Sequence, residues 1–552
     1  MSESHTEILI VGGGTGGVAA ALAATALGRR VTLTEPTAWL GGQLTSQAVP
    51  PDENPWIEMT GCTARYRRYR DLVRRYYREH YPLTAGARRN PRLNPGGGNV
   101  SALCHEPRVG VAAIDQMLAF ARTRGLIRVL HHCEPVEAHT DGDRVTAVTI
   151  QRSTDGHRET IQAEYVIDAT ELGDLLPLAG VEYVTGAESQ ADTREPHAAE
   201  IADPENVQAI SWCFAMSHDP TPGADHTADP PAQYDRWRSF APDLTPPWPG
   251  PMFGWKTSYP KTLETVEAGM QPPDDEHPGG GGLWNFRKIV DHTLYAEGDR
   301  PREVTLVNWP MIDYTVGNLI DKPADDFARY GEEARQMSLS FFHWMQTEAP
   351  RHDDGSGYPG LYLRPDITGT DDGLAMHPYI REARRIKALF TVTEHHMGVE
   401  ARTGHKLASR KPIPIEELPF PRDAMPRAEH FEDSVGIGAY RIDLHPSTGG
   451  DNYIDVAALP FEIPLGALIP QRVTNLLPAA KNLGGTHISN GALRLHPVEW
   501  NIGEAAGLLA AHCLAERTQP HAVHADRDRR ADFQRRCDRE GIEREWPLLW
   551  PM

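Results

Sequence analysis

The most regular hydrophobic pattern of the chain lies near its N-terminus. Ile8–Val11 is a continuous apolar run, which is typical of a strand buried on both faces. Residues 12–17 then carry glycines with G-x-G-x-x-G spacing, and the alanine-rich segment 18–27 predicts a helix. A second apolar run, Val31–Thr34, ends in Glu35. The pattern predicts a strand–helix–strand unit with a tight glycine loop after the first strand.

Each part of this unit matches the binding of a dinucleotide. Gly12 allows a tight turn, Gly14 lets the backbone approach a diphosphate, and Gly17 lets helix and strand pack closely. The N-terminus of the helix that follows the glycines presents free N–H groups and the positive end of its dipole. Glu35 lies where an acidic side chain accepts a hydrogen bond from a ribose hydroxyl. We therefore predict a dinucleotide site here.

Beyond this unit, the pattern outlines a sheet that is completed late in the chain. Residues 127–163 are rich in strand-forming positions and contain Asp-Gly turns, which is typical of a β-meander. Tyr165–Thr170 predicts a buried strand that returns to the central sheet, and a closing helix is predicted from Glu499. Residues 325–348 and 383–397 are each predicted as one helix.

These elements predict an α/β fold class: a Rossmann-type dinucleotide-binding domain with a β-meander, plus a discontinuous α+β substrate domain. We expect the first domain in residues 1–190 and 430–515, a substrate-binding or lid domain in 191–429, and a C-terminal tail in 516–552. The middle domain contains many Trp, Tyr and Arg residues, which suits a substrate with rings or sugar-like faces.

Charge and composition argue against several classes of partner. The 552-residue chain carries a formal net charge of −21, whereas nucleic acid and anionic membranes require a basic face. No stretch reaches the roughly 18 apolar residues of a transmembrane helix, and no targeting segment is visible. Six scattered cysteines without a C-x-x-C predict a reducing cytoplasm. The expected partner is a small-molecule substrate, and assembly into a homo-oligomer stays open.

The split of the predicted sheet distinguishes FAD from NAD. An ordinary NAD domain is contiguous, whereas a β-meander before the return strand and a late glycine-containing helix follow the plan of FAD domains. The sequence resembles the bacterial FAD dependent oxidoreductase family, among the flavoproteins of the glutathione-reductase type. No second dinucleotide fingerprint is present, so no NAD(P)H domain is expected. The motifs that carry the resemblance are residues 11–17, 40–44, 165–173, 377–385, 481–491 and 501–507.

The resemblance implies FAD as cofactor, with the glycines at the diphosphate and Glu35 at the adenosine ribose. It also implies that the N-terminus of the closing helix lies at the flavin pyrimidine. The chain departs from the group in one loop, where the usual Ala-Thr-Gly is Ala169-Thr170-Glu171. The predicted cofactor-binding residues are Gly12, Gly14, Thr15, Gly17, Glu35, Gly41, Gly42, Gln43, Gln47, Ala169, Thr170, Asn501, Ile502 and Gly503.

Oxidation of a C–H bond by a flavin requires a base for the departing proton. His487 is the first candidate, because it lies in a glycine-rich loop shortly before the closing helix. His445 is the second; on a regular strand Tyr440 faces the opposite way, so the two share a site only if the strand bends. Arg381 is a candidate clamp for a carboxylate or phosphate, the alternative being an ion pair that fixes a helix. No metal site is predicted.

We predict an FAD-dependent oxidoreductase that oxidises a small organic substrate by hydride transfer to flavin N5, as a dehydrogenase or oxidase. One alternative is an FAD-dependent monooxygenase that uses NAD(P)H and O2. Residues 480–486 lack the Gly-Asp type motif of aromatic hydroxylases, which argues against it. The other alternative, a flavin-binding RNA-modification protein, is disfavoured by the acidic net charge.

Overall fold

A computed structural model describes residues 2–274, 277–411, 413–547 and 551–552. Its largest sheet has seven strands and mixes parallel with antiparallel pairs. The parallel strands lie in the order Ile127–His131, Val31–Glu35, Ser2–Val11, Arg158–Asp168 and Leu476–Pro478. The first strand is therefore central, which explains why Ile8–Val11 is buried on both faces.

The predicted β-meander is confirmed. Cys133–Asp141, Arg144–Arg152 and Arg158–Asp168 pair antiparallel in chain order. The third of these strands is long enough to serve twice. Its first half pairs with the meander, and its second half pairs with Leu476–Pro478, so the return strand predicted at 165–170 is confirmed as well.

Two helices near the central strands pack against each other with a very short distance between their backbones. The N-terminal helix, Thr15–Ala26, packs along the closing helix, His496–Glu516, which begins three residues before the predicted start at Glu499. A Cβ on Gly503 would overlap the carbonyl oxygen of Gly16. The alanine and glycine content of both helices therefore serves close backbone packing.

The second half of the chain contributes an antiparallel four-stranded sheet. Lys288–Val290, Val304–Val307, Phe214–His218 and Leu361–Leu363 lie in this order, and the predicted long helix is confirmed as Ala324–Thr347. Tryptophans fill the core of this region: Trp237, Trp248, Trp255, Trp284, Trp309 and Trp344 are buried. Trp255 packs edge-on against Trp344, which stacks on Phe341, so part of the ring content that favoured a ring-bearing substrate serves the core.

The helix predicted over residues 383–397 is wrong. The structure has the short strand Arg385–Ile386 and the four-residue helix Glu394–Met397 there. Arg384 turns to Asp321 and Arg385 turns to the buried Glu382, and these ion pairs outweigh the local helix propensity. Among the described residues, none of the helices combines the length and apolarity needed to cross a bilayer.

The remaining helices and strands are short or peripheral. The helices are Ala64–His80, Ala85–Arg89, Pro107–Thr123, Leu175–Leu178, Gln190–Thr193, Tyr234–Arg238, Leu283–Phe286, Pro365–Thr368, Val399–Thr403, His487–Leu493, Pro520–Ala525 and Arg527–Glu540. The strands are Tyr183–Val184, Ile210–Ser211, Lys256–Ser258, Thr265–Glu267, Met270–Gln271, Gly281–Gly282, Asp313–Tyr314, Ser434–Gly438, Ile442–Leu444, Ile454–Val456 and Phe461–Pro464. The predicted domain boundaries stay a prediction.

Candidate active site

A cavity of about 390 Å³ lies at the carboxyl ends of the central parallel strands. This edge is where ligands bind in open α/β sheets. Seven of the predicted cofactor-binding residues line the cavity, namely Gly12, Gly14, Glu35, Gly42, Gln47, Ala169 and Thr170. The sequence pattern therefore located the cavity from local motifs alone.

The glycine loop, residues 12–17, has the shape of an anion cradle. A Cβ on Gly14 would lie 2.8 Å from Oε1 of Glu171, and one on Gly42 would lie 2.9 Å from Cα of Gly14. Gly14 is also the N-cap of the N-terminal helix and makes no side-chain capping bond there. The loop thus keeps room and helix N–H groups for a diphosphate, so the residues present fit a dinucleotide.

Glu35 lies buried in the wall of this cavity. Its Oε1 accepts hydrogen bonds from the backbone N–H of Thr37 (2.9 Å) and from the Thr37 hydroxyl (2.6 Å). Burial raises the pKa of Glu35 to about 7, against these hydrogen bonds, which lower it. A hydrogen bond from the Gly13 backbone also lowers the pKa of this carboxylate.

The other predicted cofactor-binding residues are placed behind the cavity wall. The Thr15 hydroxyl donates to the carbonyl of Gly41 (3.0 Å), and Gly17 packs against the carbonyl of Gly12. Gln43 turns away from the cavity. Its Nε2 donates to Glu499 (2.8 Å).

Asn501, Ile502 and Gly503 lie in the second turn of the closing helix rather than at its N-terminus. Asn501 contacts the backbone of the strand Ser434–Gly438, and Ile502 lies in the hydrophobic core. Their predicted role at the flavin stays a prediction.

A buried lysine lies behind the loop Ala169-Thr170-Glu171, whose sequence differs from the usual Ala-Thr-Gly. Nζ of Lys481 pairs with Glu171 (2.5 Å) and with Glu499 (3.2 Å), and the lysine is fully buried. Glu171 also lines the cavity. The glutamate that replaces the usual glycine is therefore compensated by a cation from the last strand–helix connection.

A cluster of charged and phenolic side chains lies near residues of the cavity wall but does not itself line the cavity. It comprises Asp52, Arg287, Tyr379, Tyr440, Asp443, His445 and Arg494. Tyr379 is two residues beyond His377, a cavity-lining residue, which places their Cα atoms within about 7 Å. Nε2 of Gln43 also donates to the carbonyl of Arg494 (3.0 Å). We refer to these seven residues as the inner cluster.

His445 is the histidine of the inner cluster. Its Nδ1 lies 2.6 Å from Oδ2 of Asp313, which is fully buried, and its Nε2 lies 3.9 Å from Asp443. Burial and the nearby Arg381 lower the pKa of His445, although Asp313 favours its charged form. A neutral imidazole whose Nδ1–H is held by a carboxylate presents Nε2 as a proton acceptor.

Tyr440 and His445 border the same cluster. The strand Ser434–Gly438 ends before Tyr440, and only Ile442–Leu444 is extended after it, so strict alternation does not hold between the two residues. Asp52 and Asp443 both act on Tyr440, and with burial they raise the pKa of its phenol.

Arg381 does not offer a free clamp. Its Nη1 donates to the carbonyl of Ala209 (2.7 Å) and to Ser211 (3.0 Å), and its Nη2 pairs with Asp313 (3.0 Å). The guanidinium is 1% exposed. Arg381 therefore holds the carboxylate that orients His445.

His487 has different surroundings. Its Nδ1 lies 2.9 Å from Oε1 of Glu382, which also pairs with Arg385. Burial opposes the charged form, yet the charge of Glu382 and its hydrogen bond raise the pKa of His487. The pKa of Glu382 is correspondingly lowered to about 2, although burial opposes this. A histidine that keeps its proton in an ion pair is poorly suited to be a base at neutral pH.

Three groups of potential metal ligands lie outside the inner cluster. Their ligand atoms lie within 4.8 Å of one another, and the groups are Asp274/His277/His352, Asp291/His292/Glu303 and His512/Glu516/Asp532. Lys288 pairs with Glu303 in the second group (3.0 Å). The predicted absence of a metal site stays a prediction.

Sequence reasoning missed most of the inner cluster. Asp52, Arg287 and Asp313 stand in no motif, and Arg494 lies just beyond the motif 481–491. Tyr379 falls within the motif 377–385 but had no assigned role. Nothing in the local pattern distinguishes these residues, because they come together only through long-range contacts.

A family model described as FAD dependent oxidoreductase matches residues 7–536, which is nearly the whole chain. Comparison with curated protein sequences gives no match.

Solved structures resemble parts of the chain. L-proline dehydrogenase from P. horikoshii is 15% identical, with a TM-score of 0.16 over 34% of this chain and 24% of that one. The rebeccamycin biosynthetic enzyme RebC is 13% identical, with a TM-score of 0.22 over 39% of each chain. CabE, an aromatic hydroxylase from angucycline biosynthesis, is 16% identical, with a TM-score of 0.24 over 41% of this chain and 40% of that one. This chain thus covers less than half the length of each of these three structures.

Proposed function

Because the chain belongs to the FAD dependent oxidoreductase family, we propose that it is a dehydrogenase or oxidase that oxidises a small organic substrate beside His445. FAD is the cofactor. One observation carries the proposal. A histidine of lowered pKa is held by a buried carboxylate, in a cluster whose Tyr379 lies two residues beyond His377 in the cavity wall.

The cavity residues divide the binding of FAD between them. The glycine loop and the adjoining Gly42 would hold the diphosphate, and Glu35 would accept from a ribose hydroxyl. Bound FAD supplies the acceptor for the hydride that leaves the substrate carbon.

The chain itself handles the proton. As an H–C–X–H group of the substrate (X being O or N) becomes C=X, the proton of X moves to Nε2 of His445. Asp313 holds Nδ1–H in place and stabilises the imidazolium that forms, while Arg381 keeps Asp313 ionised. The hydride and the proton account for both hydrogens and for the two electrons.

Anaerobic flavin reduction tests this function. The holoenzyme is mixed without oxygen with amines, alcohols, amino acids and hydroxy acids, and separately with NADH and NADPH, while flavin absorbance near about 450 nm is followed. We expect at least one organic donor to bleach the flavin without a nicotinamide. Bleaching by NADH or NADPH alone would instead support the monooxygenase alternative.

A further inference from the structure

Arg287 is a buried guanidinium with two nitrogens that lack hydrogen bonds. The residue is 8% exposed, and its Nε and Nη1 make no hydrogen bond within the described part of the chain. Its ion pair with Oδ1 of Asp52 is long, at 3.6 Å from Nη1, which is beyond hydrogen-bond distance. Buried N–H groups of a charged side chain are costly without acceptors, so this arrangement indicates a place for an anion that is not part of the chain.

A second arginine faces the same groups. Arg494 donates from Nη1 to the Tyr379 hydroxyl (2.8 Å) and from Nη2 to the carbonyl of Asp443 (2.8 Å), while its Nε also lacks a partner. Asp52 and Tyr379 act on both guanidinium groups. Arg287 and Arg494 therefore flank one polar space.

The groups beside the arginines include the base, and two of them are partly exposed. The side chains of Asp443 and His445 keep 19% and 20% of their exposure, although they lie inside the fold. Asp443 lies 3.3 Å from Nη2 of Arg494 and 3.9 Å from Nε2 of His445, so a single carboxylate separates the arginine from the histidine. A molecule held at the arginines would extend toward the proton acceptor.

We propose that Arg287, assisted by Arg494, binds a carboxylate group of the substrate, so that the enzyme oxidises an organic acid. The proposal rests on the oxidase or dehydrogenase function above. A carboxylate matches the planar fork of a guanidinium and can accept two parallel N–H bonds.

Ligand titration of the holoenzyme tests the site without turnover. Acetate, succinate and benzoate are each compared with acetamide, succinamide and benzamide, by flavin difference spectra and by calorimetry. At least one acid should bind at least ten times more tightly than its amide. In Arg287→Met this preference should vanish and the Kd of the acid should rise at least tenfold, while Arg287→Lys recovers only part of it because lysine lacks the planar fork.

Controls separate binding from folding. Arg287→Met should retain its flavin, and its melting temperature is measured beside that of wild type, because the substitution also removes the ion pair with Asp52. If that variant does not fold, Arg287→Gln replaces it in the same titration. Arg92→Met changes an exposed arginine and should leave every Kd unaltered.

The outcomes also distinguish this proposal from the proposed function. Equal affinity for acids and amides in wild type, or unchanged acid binding in Arg287→Met, would overturn the carboxylate site even if a donor reduces the flavin. Failure of every organic donor to reduce the flavin would overturn the oxidase function, while selective binding of an acid would still stand.

Discussion

Replacement of His445 by glutamine should slow flavin reduction by an organic donor about 10²- to 10⁴-fold. Glutamine keeps a polar side chain of similar reach but cannot accept the substrate proton at neutral pH. The expected loss corresponds to about 2.7 to 5.4 kcal/mol of transition-state stabilisation. Asp313 keeps its partners Arg381 and Ser211 in the variant, so the fold and the flavin content should be preserved.

The pH dependence gives the prediction a second readout. The pKa of His445 lies below its ordinary value of 6.5, so more than half of the imidazole is neutral at pH 6.5. Wild type should therefore lose activity only as the pH falls below 6.5, through the lowered pKa. His445→Gln should lack this acid limb, because the group that titrates is gone. Stopped-flow reduction of the oxidised enzyme between pH 5 and 8 measures both effects.

His487→Gln is the matched control. His487 also has a buried carboxylate at Nδ1, but its pKa is raised above 6.5, so its stabilising charge is fully present below that pH and is lost as the pH rises through the raised value. The variant should melt lower than wild type at pH 6 and keep the acid limb of flavin reduction. A full reduction rate with an intact acid limb in His445→Gln, or loss of that limb in His487→Gln, would refute the assignment of the base.

Three further substitutions test the framework around the site. Gly503→Ala should lower the free energy of unfolding in urea by about 1–3 kcal/mol or more, because its Cβ overlaps the Gly16 carbonyl. The control Gly86→Ala has open space around its Cβ and should stay within about 1 kcal/mol of wild type. Gly14→Ala should fold normally, because its Cβ meets only the flexible end of a side chain. The added methyl group should fill the glycine loop and weaken FAD binding at least about tenfold in fluorescence titration. Unchanged affinity would contradict the assignment of this loop to the diphosphate. Lys481→Met should destabilise the fold by about 3–5 kcal/mol, and by more at pH 8 than at pH 6. The substitution leaves Glu171 and Glu499 unpaired, which disfavours their charged forms, so their ionisation at higher pH opposes folding. Equal losses at both pH values would argue against the ion pairs.

The dinucleotide cavity was predictable because its determinants are local. The glycine loop and Glu35 stand at spacings that only a strand–turn–helix–strand unit explains, and that unit needs no long-range information. The β-meander was predictable for the same reason, since its turns lie between neighbouring strands.

The surroundings of His445 in the inner cluster were not predictable, because the residues that form them are distant in sequence. His445 is oriented by Asp313, which precedes it by more than a hundred residues, and Asp313 in turn is fixed by Arg381. The argument that placed Arg381 on a helix face assumed a helix that buried ion pairs replace. The position of His487 shortly before the closing helix favoured it as the base. Proximity in sequence does not reveal that Glu382 and Arg385 surround its imidazole ring.

The buried arginines of the chain show why one that lacks hydrogen bonds carries functional information. Arg70 pairs with Glu53 at 2.8 Å, and Arg385 pairs with Glu382 and Glu188, each in a position at most 1% exposed. Burial of such a charge is tolerated when hydrogen bonds and an opposite charge replace water. Arg287 departs from this pattern, because its ion pair with Asp52 is longer and two of its nitrogens lack hydrogen bonds. A ligand carboxylate that accepts from these nitrogens would give Arg287 the hydrogen bonds that Arg70 and Arg385 receive from the chain.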